Sequence, residues 1–178
     1  LLANAFADLV YTVMQQSSGA EPPFPSWPDV FYLAFYPLFG TGLFLLARRR
    51  GRERSALIDA TIVAVGTSVV VWQFLIAPIA GDAEVDALSR LVSVGYPVGD
   101  VVLLAFLSRL VFGAGDDSGT VRLLAAGAGT LLVADIGYLA IGLYGTYSPG
   151  AWTDAAYLVA YLVIGAAALA PERPPREA

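Results

Sequence analysis

The sequence predicts an all-α integral membrane protein, and three observations point there. Of 178 residues, 57% are hydrophobic and only 14% charged, where a soluble domain carries about 25% charged residues. The apolar residues gather in blocks of roughly 20, the length that takes an α-helix across a bilayer. Arginine, the sole basic residue type, is spread so unevenly that it orients those blocks.

Five full segments qualify as spans: about 29–47, 56–80, 88–112, 120–143 and 152–170. An apolar stub at about 1–15 reads as the end of a sixth, truncated span. The chain begins Leu1-Leu2-Ala3-Asn4 without Met or a basic leader, so it is expected to be a piece of a longer protein. Short turns rich in Gly, Pro and Ser separate the blocks. The Pro-rich stretch 171–178 reads as the start of a cytoplasmic linker to a further domain.

Arg48, Arg49, Arg50, Arg52 and Arg54 crowd one loop. Arg109, Arg122, Arg173 and Arg176 share its side if all six segments cross, and Arg90 alone lies opposite. By the positive-inside rule the arginine loop and both termini are cytoplasmic. Topology and attraction to anionic lipid account for that loop, and no basic face suits a nucleic acid. The chain has no Cys and no His. That removes disulfides, thiolate chemistry and imidazole-ligated metals. Phosphate loops, dinucleotide fingerprints and metalloprotease helices are also missing, so no enzymatic activity, metal or cofactor is expected of this chain.

Self-comparison yields an internal repeat. Trp27-x-Asp29-x-x-Tyr32-Leu33-x-x-Tyr36-x-x-x-Gly40 recurs as Trp152-x-Asp154-x-x-Tyr157-Leu158-x-x-Tyr161-x-x-x-Gly165. Upstream, Ala7-Asp8-x-x-Tyr11 recurs as Ala134-Asp135-x-x-Tyr138. The middle unit is looser, with Trp72 in the first aromatic place and Tyr96-Pro97 echoing Tyr36-Pro37. The expected architecture is three tandem helical hairpins in one orientation, at about 1–50, 56–112 and 120–170. Together they form one domain over 1–170, unlike the inverted repeats of many transporters.

Helical spacing turns the motifs into faces. Asp29, Tyr32, Tyr36 and Gly40 lie along one stripe, as do Asp154, Tyr157, Tyr161 and Gly165. At 1.5 Å per residue, Asp8, Tyr36, Tyr96, Asp135 and Tyr161 sit roughly 10–14 Å below the outer ends of their helices. Asp100 lies nearer the midplane. A carboxyl inside a bilayer costs about 2.5–3.5 kcal/mol on insertion scales and faces the bundle interior. Asp8, Asp100 and Asp135 therefore either glue helices together through tyrosine hydroxyls or form a ligand or proton site. Tyr36, Tyr96, Tyr138 and Tyr161 complete that candidate site. Asp29 and Asp154 suit helix capping, and Trp27 and Trp152 suit the membrane interface. Pro37 and Pro97 should kink their spans, and Gly95-x-x-x-Gly99 is a close-packing pattern.

The run Pro25-Ser26-Trp27-Pro28-Asp29 through Tyr36-Pro37, then Arg48-Arg49-Arg50, carries a family resemblance. So do Leu57-Ile58-Asp59-Ala60, Tyr96-Pro97-Val98-Gly99-Asp100, Gly145-Thr146-Tyr147 and the stretch Gly165 to Pro171. Over nearly its whole length the chain resembles the N-terminal membrane region of actinobacterial GGDEF/EAL proteins. One departure is Ala168-Leu169-Ala170-Pro171, where that family often has Ala-Leu-His-Pro.

The resemblance implies a sensory input domain in a bacterial plasma membrane. It also implies a homodimer, a small ligand of unknown identity, and a cytoplasmic effector in cis. That effector would be a diguanylate cyclase or a cyclic di-GMP phosphodiesterase, so the parent protein would be the enzyme. Two other readings stay open from the residues alone: a small proton- or ion-coupled transporter using the same aspartates, and a membrane anchor and dimerisation domain without ligand.

Overall fold

The structure is a computed structural model and describes residues 1–49, 54–113 and 119–170. Most of the arginine loop, the loop at 114–118 and the linker at 171–178 lie outside the described residues. The described residues are 86% helix, with no strand among them. Six helices follow in order: α1 (Leu2–Ser18), α2 (Trp27–Arg49), α3 (Arg54–Gly81), α4 (Ala87–Phe112), α5 (Gly119–Tyr144) and α6 (Trp152–Leu169). Helices α2 to α6 are long and apolar enough to cross a membrane. That is compatible with a multi-pass membrane protein. α1, at 17 residues, is shorter than a full span, so five crossings rather than six are counted by length and hydropathy.

Each boundary has a local cause. α1 ends at Gly19, whose φ of 66° takes the left-handed cap. α2 opens with a capping box: Asp29 reaches back to accept the Ser26 backbone N–H at 2.7 Å. Asp86 caps α4, accepting from the N–H groups of Leu88 at 3.0 Å and Ser89 at 3.1 Å. The Ser89 hydroxyl adds a 2.5 Å bond to the same carboxylate. These bonds, the hydroxyl first, hold the Asp86 carboxyl below its ordinary range.

α3 widens into a π-helical segment over Trp72–Ile76. Pro78, four residues beyond Phe74, has no N–H to give the Phe74 carbonyl. The Tyr144 hydroxyl of α5 donates to that carbonyl instead, at 2.6 Å. A side chain from another hairpin thus meets the acceptor that proline strands.

The packing order follows the hairpins only in part. α1 packs on α2, α2 on α4, α4 on both α3 and α5, and α5 on α6. Among the described residues α1 and α6 make no close backbone approach, so the first and third hairpins meet through side chains. The apolar core forms two clusters. The larger draws on four helices and reaches toward the arginine-bearing ends through Leu43, Ala47, Leu107, Leu110, Val121, Ala128 and Ile164, and the smaller holds Val71, Leu75 and Ile76 in the outer half of α3. The outward faces are apolar too, with Leu91 70% and Leu162 74% exposed, as lipid-facing surface requires.

Small residues let these helices approach. A Cβ on Gly127 would lie 2.7 Å from the Ile164 side chain and 2.9 Å from its backbone nitrogen, so α5 and α6 touch only because that residue is glycine. Lipid tails are as apolar as the side chains, so such contacts, not water exclusion, hold the helices together.

Candidate functional site

The repeated residues meet in matching geometry. In the first hairpin the Tyr32 hydroxyl of α2 donates to Asp8 of α1 at 2.6 Å. In the third, the Tyr157 hydroxyl of α6 donates to Asp135 of α5 at 2.8 Å. These are corresponding positions of the repeat, so duplicated sequence has produced a duplicated bond. The middle hairpin has no carboxyl in that register, because Val69 stands there. Its carboxyl is Asp100, in the place of Gly40 and Gly165.

Other polar bonds join one hairpin to another. Tyr36 of α2 donates to Asp100 of α4 at 2.9 Å. Tyr96 of α4 donates to Asp29 of α2 at 2.7 Å. The Asn4 amide of α1 donates to the Tyr161 hydroxyl of α6 at 3.1 Å. The carboxyls of Asp100 on α4 and Asp135 on α5 lie close together, so the Tyr36–Asp100 and Asp135–Tyr157 bonds form a chain of side chains from four helices.

Glycine makes room for this chain. A Cβ on Gly99 would lie 2.4 Å from the Tyr36 ring. The Gly95-x-x-x-Gly99 pattern thus serves to seat a tyrosine, with Gly99 as the demanding position. At Gly95 the nearest atom to an added Cβ is a Leu33 methyl at 3.4 Å. Gly40 and Gly165 are less constrained, with nothing nearer than 3.5 Å and 4.0 Å respectively.

The candidate residues thus divide. Tyr36, Asp100 and Asp135 come together, Tyr161 joins through Asn4, and Asp8 joins through Tyr32. Tyr96 passes over its helical neighbour Asp100 and bonds Asp29. Asp29 is therefore both a capping residue and a member of the layer. Tyr138 takes no part in these bonds: it is 48% exposed, its ring centroid 5.2 Å from that of Tyr147.

Asp154 stays at the helix end, accepting from the Gly150 N–H at 2.8 Å and the Tyr147 hydroxyl at 3.0 Å. Burial first, then that bond, raises the Tyr147 hydroxyl to about 12. Trp27 is 70% exposed. Trp152 is 54% exposed, yet its ring occupies the space a Cβ on Gly137 would need.

Three participants lay outside the expected site. Tyr32 and Tyr157 were visible as a repeated identity on the correct stripe. Asn4 stands four residues before Asp8, on the same face of an apolar helix, and that placement was its only sequence signal. No group of three or more acidic residues in metal-binding proximity occurs among the described residues. Compared with protein-family models, curated proteins and solved structures, the chain matches none.

Proposed function

We propose that the chain is the membrane-embedded sensory domain of a bacterial signalling protein, crossing the plasma membrane six times with both termini in the cytoplasm. The observation that carries this reading is the set of polar bonds between hairpins: Tyr36–Asp100, Tyr96–Asp29 and Asn4–Tyr161. A stimulus that competes for these groups changes how the hairpins pack, by as much as its affinity differs between the two packings.

The apolar cluster toward the arginine-bearing ends favours a sensor over a transporter. A transported substrate must reach its site from both faces in turn, and toward the inner face the helices pack through Leu43, Leu107, Leu110 and Val121, which are nearly fully buried. α6 leads toward 171–178 and so passes the change to a cytoplasmic effector in cis. The resemblance to the membrane region of GGDEF/EAL proteins supports a diguanylate cyclase or cyclic di-GMP phosphodiesterase as that effector, acting as a homodimer.

The test is cyclic di-GMP turnover by membranes containing the full-length gene product. Asp135→Asn and Tyr36→Phe are expected to shift turnover several-fold without changing the amount of protein in the membrane. Unchanged turnover in both variants overturns the proposal. So does solute flux in proteoliposomes that Asp135→Asn abolishes, a result that belongs to a carrier.

A further inference from the structure

The gap between α1 and α6 contains polar capacity that the protein itself does not use. Asn4 is 6% exposed, and its amide nitrogen is committed to Tyr161. Its amide oxygen is buried without any hydrogen-bond partner. Leaving such an acceptor bare costs about 1–3 kcal/mol, so the position calls for a donor or a cation. One turn along the same face stands Asp8. One of its carboxylate oxygens accepts from Tyr32, and the side chain is otherwise exposed. The Tyr161 oxygen completes a set of three oxygens of different kinds: an amide, a carboxylate and a phenol.

The charge suits a cation. α1 and α6 make no close backbone approach, so they meet here through side chains, with the Asn4–Tyr161 bond between them. The nearest basic side chain on the outer half among the described residues is Arg90, which donates to the carbonyls of Asp82 and Val85. Nothing basic from the described residues therefore neutralises Asp8. All-oxygen surroundings suit a hard cation, and a single carboxylate matches a single positive charge.

We propose that Asn4, Asp8 and Tyr161 form a binding site for a small monovalent cation of the sodium class. This rests on the sensory reading and names its ligand class. A cation drawn between these oxygens ties α1 to α6, and so sets the spacing of the first and third hairpins.

The experiment uses the purified chain in lipid nanodiscs at constant ionic strength. Sodium, potassium or choline chloride is titrated while thermal unfolding is followed. Sodium or potassium should raise the melting temperature saturably relative to choline. The apparent affinity should fall at least tenfold in Asp8→Asn, which retains shape but removes charge, and in Asn4→Leu, which retains volume but removes the amide.

An equal response to all three salts overturns the site, as does a shift unchanged in both variants. A response that follows the anion would mean that the amide turns its nitrogen to the gap, and overturns the assignment as well. Saturable binding lost in both variants, together with unaltered cyclic di-GMP turnover in the full-length protein, retains the cation site and sinks the sensory reading. No cation response beside turnover that still depends on Asp135 does the reverse.

Discussion

Replacing Gly99 by alanine places a methyl carbon against the ring of Tyr36. The new Cβ would lie 2.4 Å from Cδ1, 2.6 Å from Cγ and 2.7 Å from Cε1 of that ring, whereas carbon atoms rest about 3.5–4.0 Å apart. The crowded atoms include the base of the ring, so no rotation of a flexible tip relieves them. The ring must retreat by about 1 Å to restore that separation, which strains the 2.9 Å bond from Tyr36 to Asp100.

Overpacking costs about 1–3 kcal/mol, and an interhelical hydrogen bond in a membrane contributes about 0.6 kcal/mol. Alanine returns about 0.8–1 kcal/mol of helix propensity. The balance is a loss of about 1–3 kcal/mol, taking these contributions together. Gly95→Ala is the control, because the only neighbours of its added Cβ are the Leu33 methyls, at 3.4 and 3.9 Å. Unfolding of both variants in mixed micelles, followed by circular dichroism, measures the difference. Equal stability of Gly99→Ala and Gly95→Ala refutes the claim that Gly99 seats Tyr36.

Further outcomes follow from the same geometry. Tyr144→Phe strands the Phe74 carbonyl and should cost about 1 kcal/mol; Pro78→Ala restores a backbone N–H and should recover most of that loss, a coupling that a double-mutant cycle reads directly. Gly137→Ala displaces the Trp152 ring, so tryptophan emission should shift while helical content holds; an unchanged spectrum contradicts the packing. The lowered Asp86 carboxyl stabilises the start of α4 above its ordinary titration range, and that contribution disappears as pH falls through the depressed value. The protection factors of the Leu88 and Ser89 amides, taken relative to intrinsic exchange at each pH, should therefore fall on acidification in the wild type, and be already low and independent of pH in Asp86→Ala.

Much of the helical frame was legible because lipid imposes a simple rule of length and hydropathy. The five long helices begin and end within two residues of the expected 29–47, 56–80, 88–112, 120–143 and 152–170. The carboxyl–phenol layer was legible as a set of faces, since Asp8 and Asp135 recur in one register and Tyr32 and Tyr157 in another. Partner choice was not legible. Asp100 and Tyr96 are neighbours on one helix, yet each bonds to α2 instead. Side chains an i,i+4 step apart on one face point outward together, and the facing helix offers the better approach. The π segment was hidden because its cause is split between Pro78 and Tyr144, 66 residues apart in sequence. Asn4 escaped notice because no repeat matches it.

If polar bonds between hairpins set how the hairpins pack, removing them changes a distance between hairpins. The chain has no native cysteine, so Ser17→Cys and Ser148→Cys place one spin label on the first hairpin and one on the third. Both positions are exposed. The double variant Tyr36→Phe/Tyr161→Phe keeps the rings and removes two bridging hydroxyls; Tyr138→Phe, outside the layer, is the control. In nanodiscs the label-to-label distribution is expected to move by more than its own width in the double variant and to stay in place in the control. A folded double variant with the wild-type distribution would contradict that expectation.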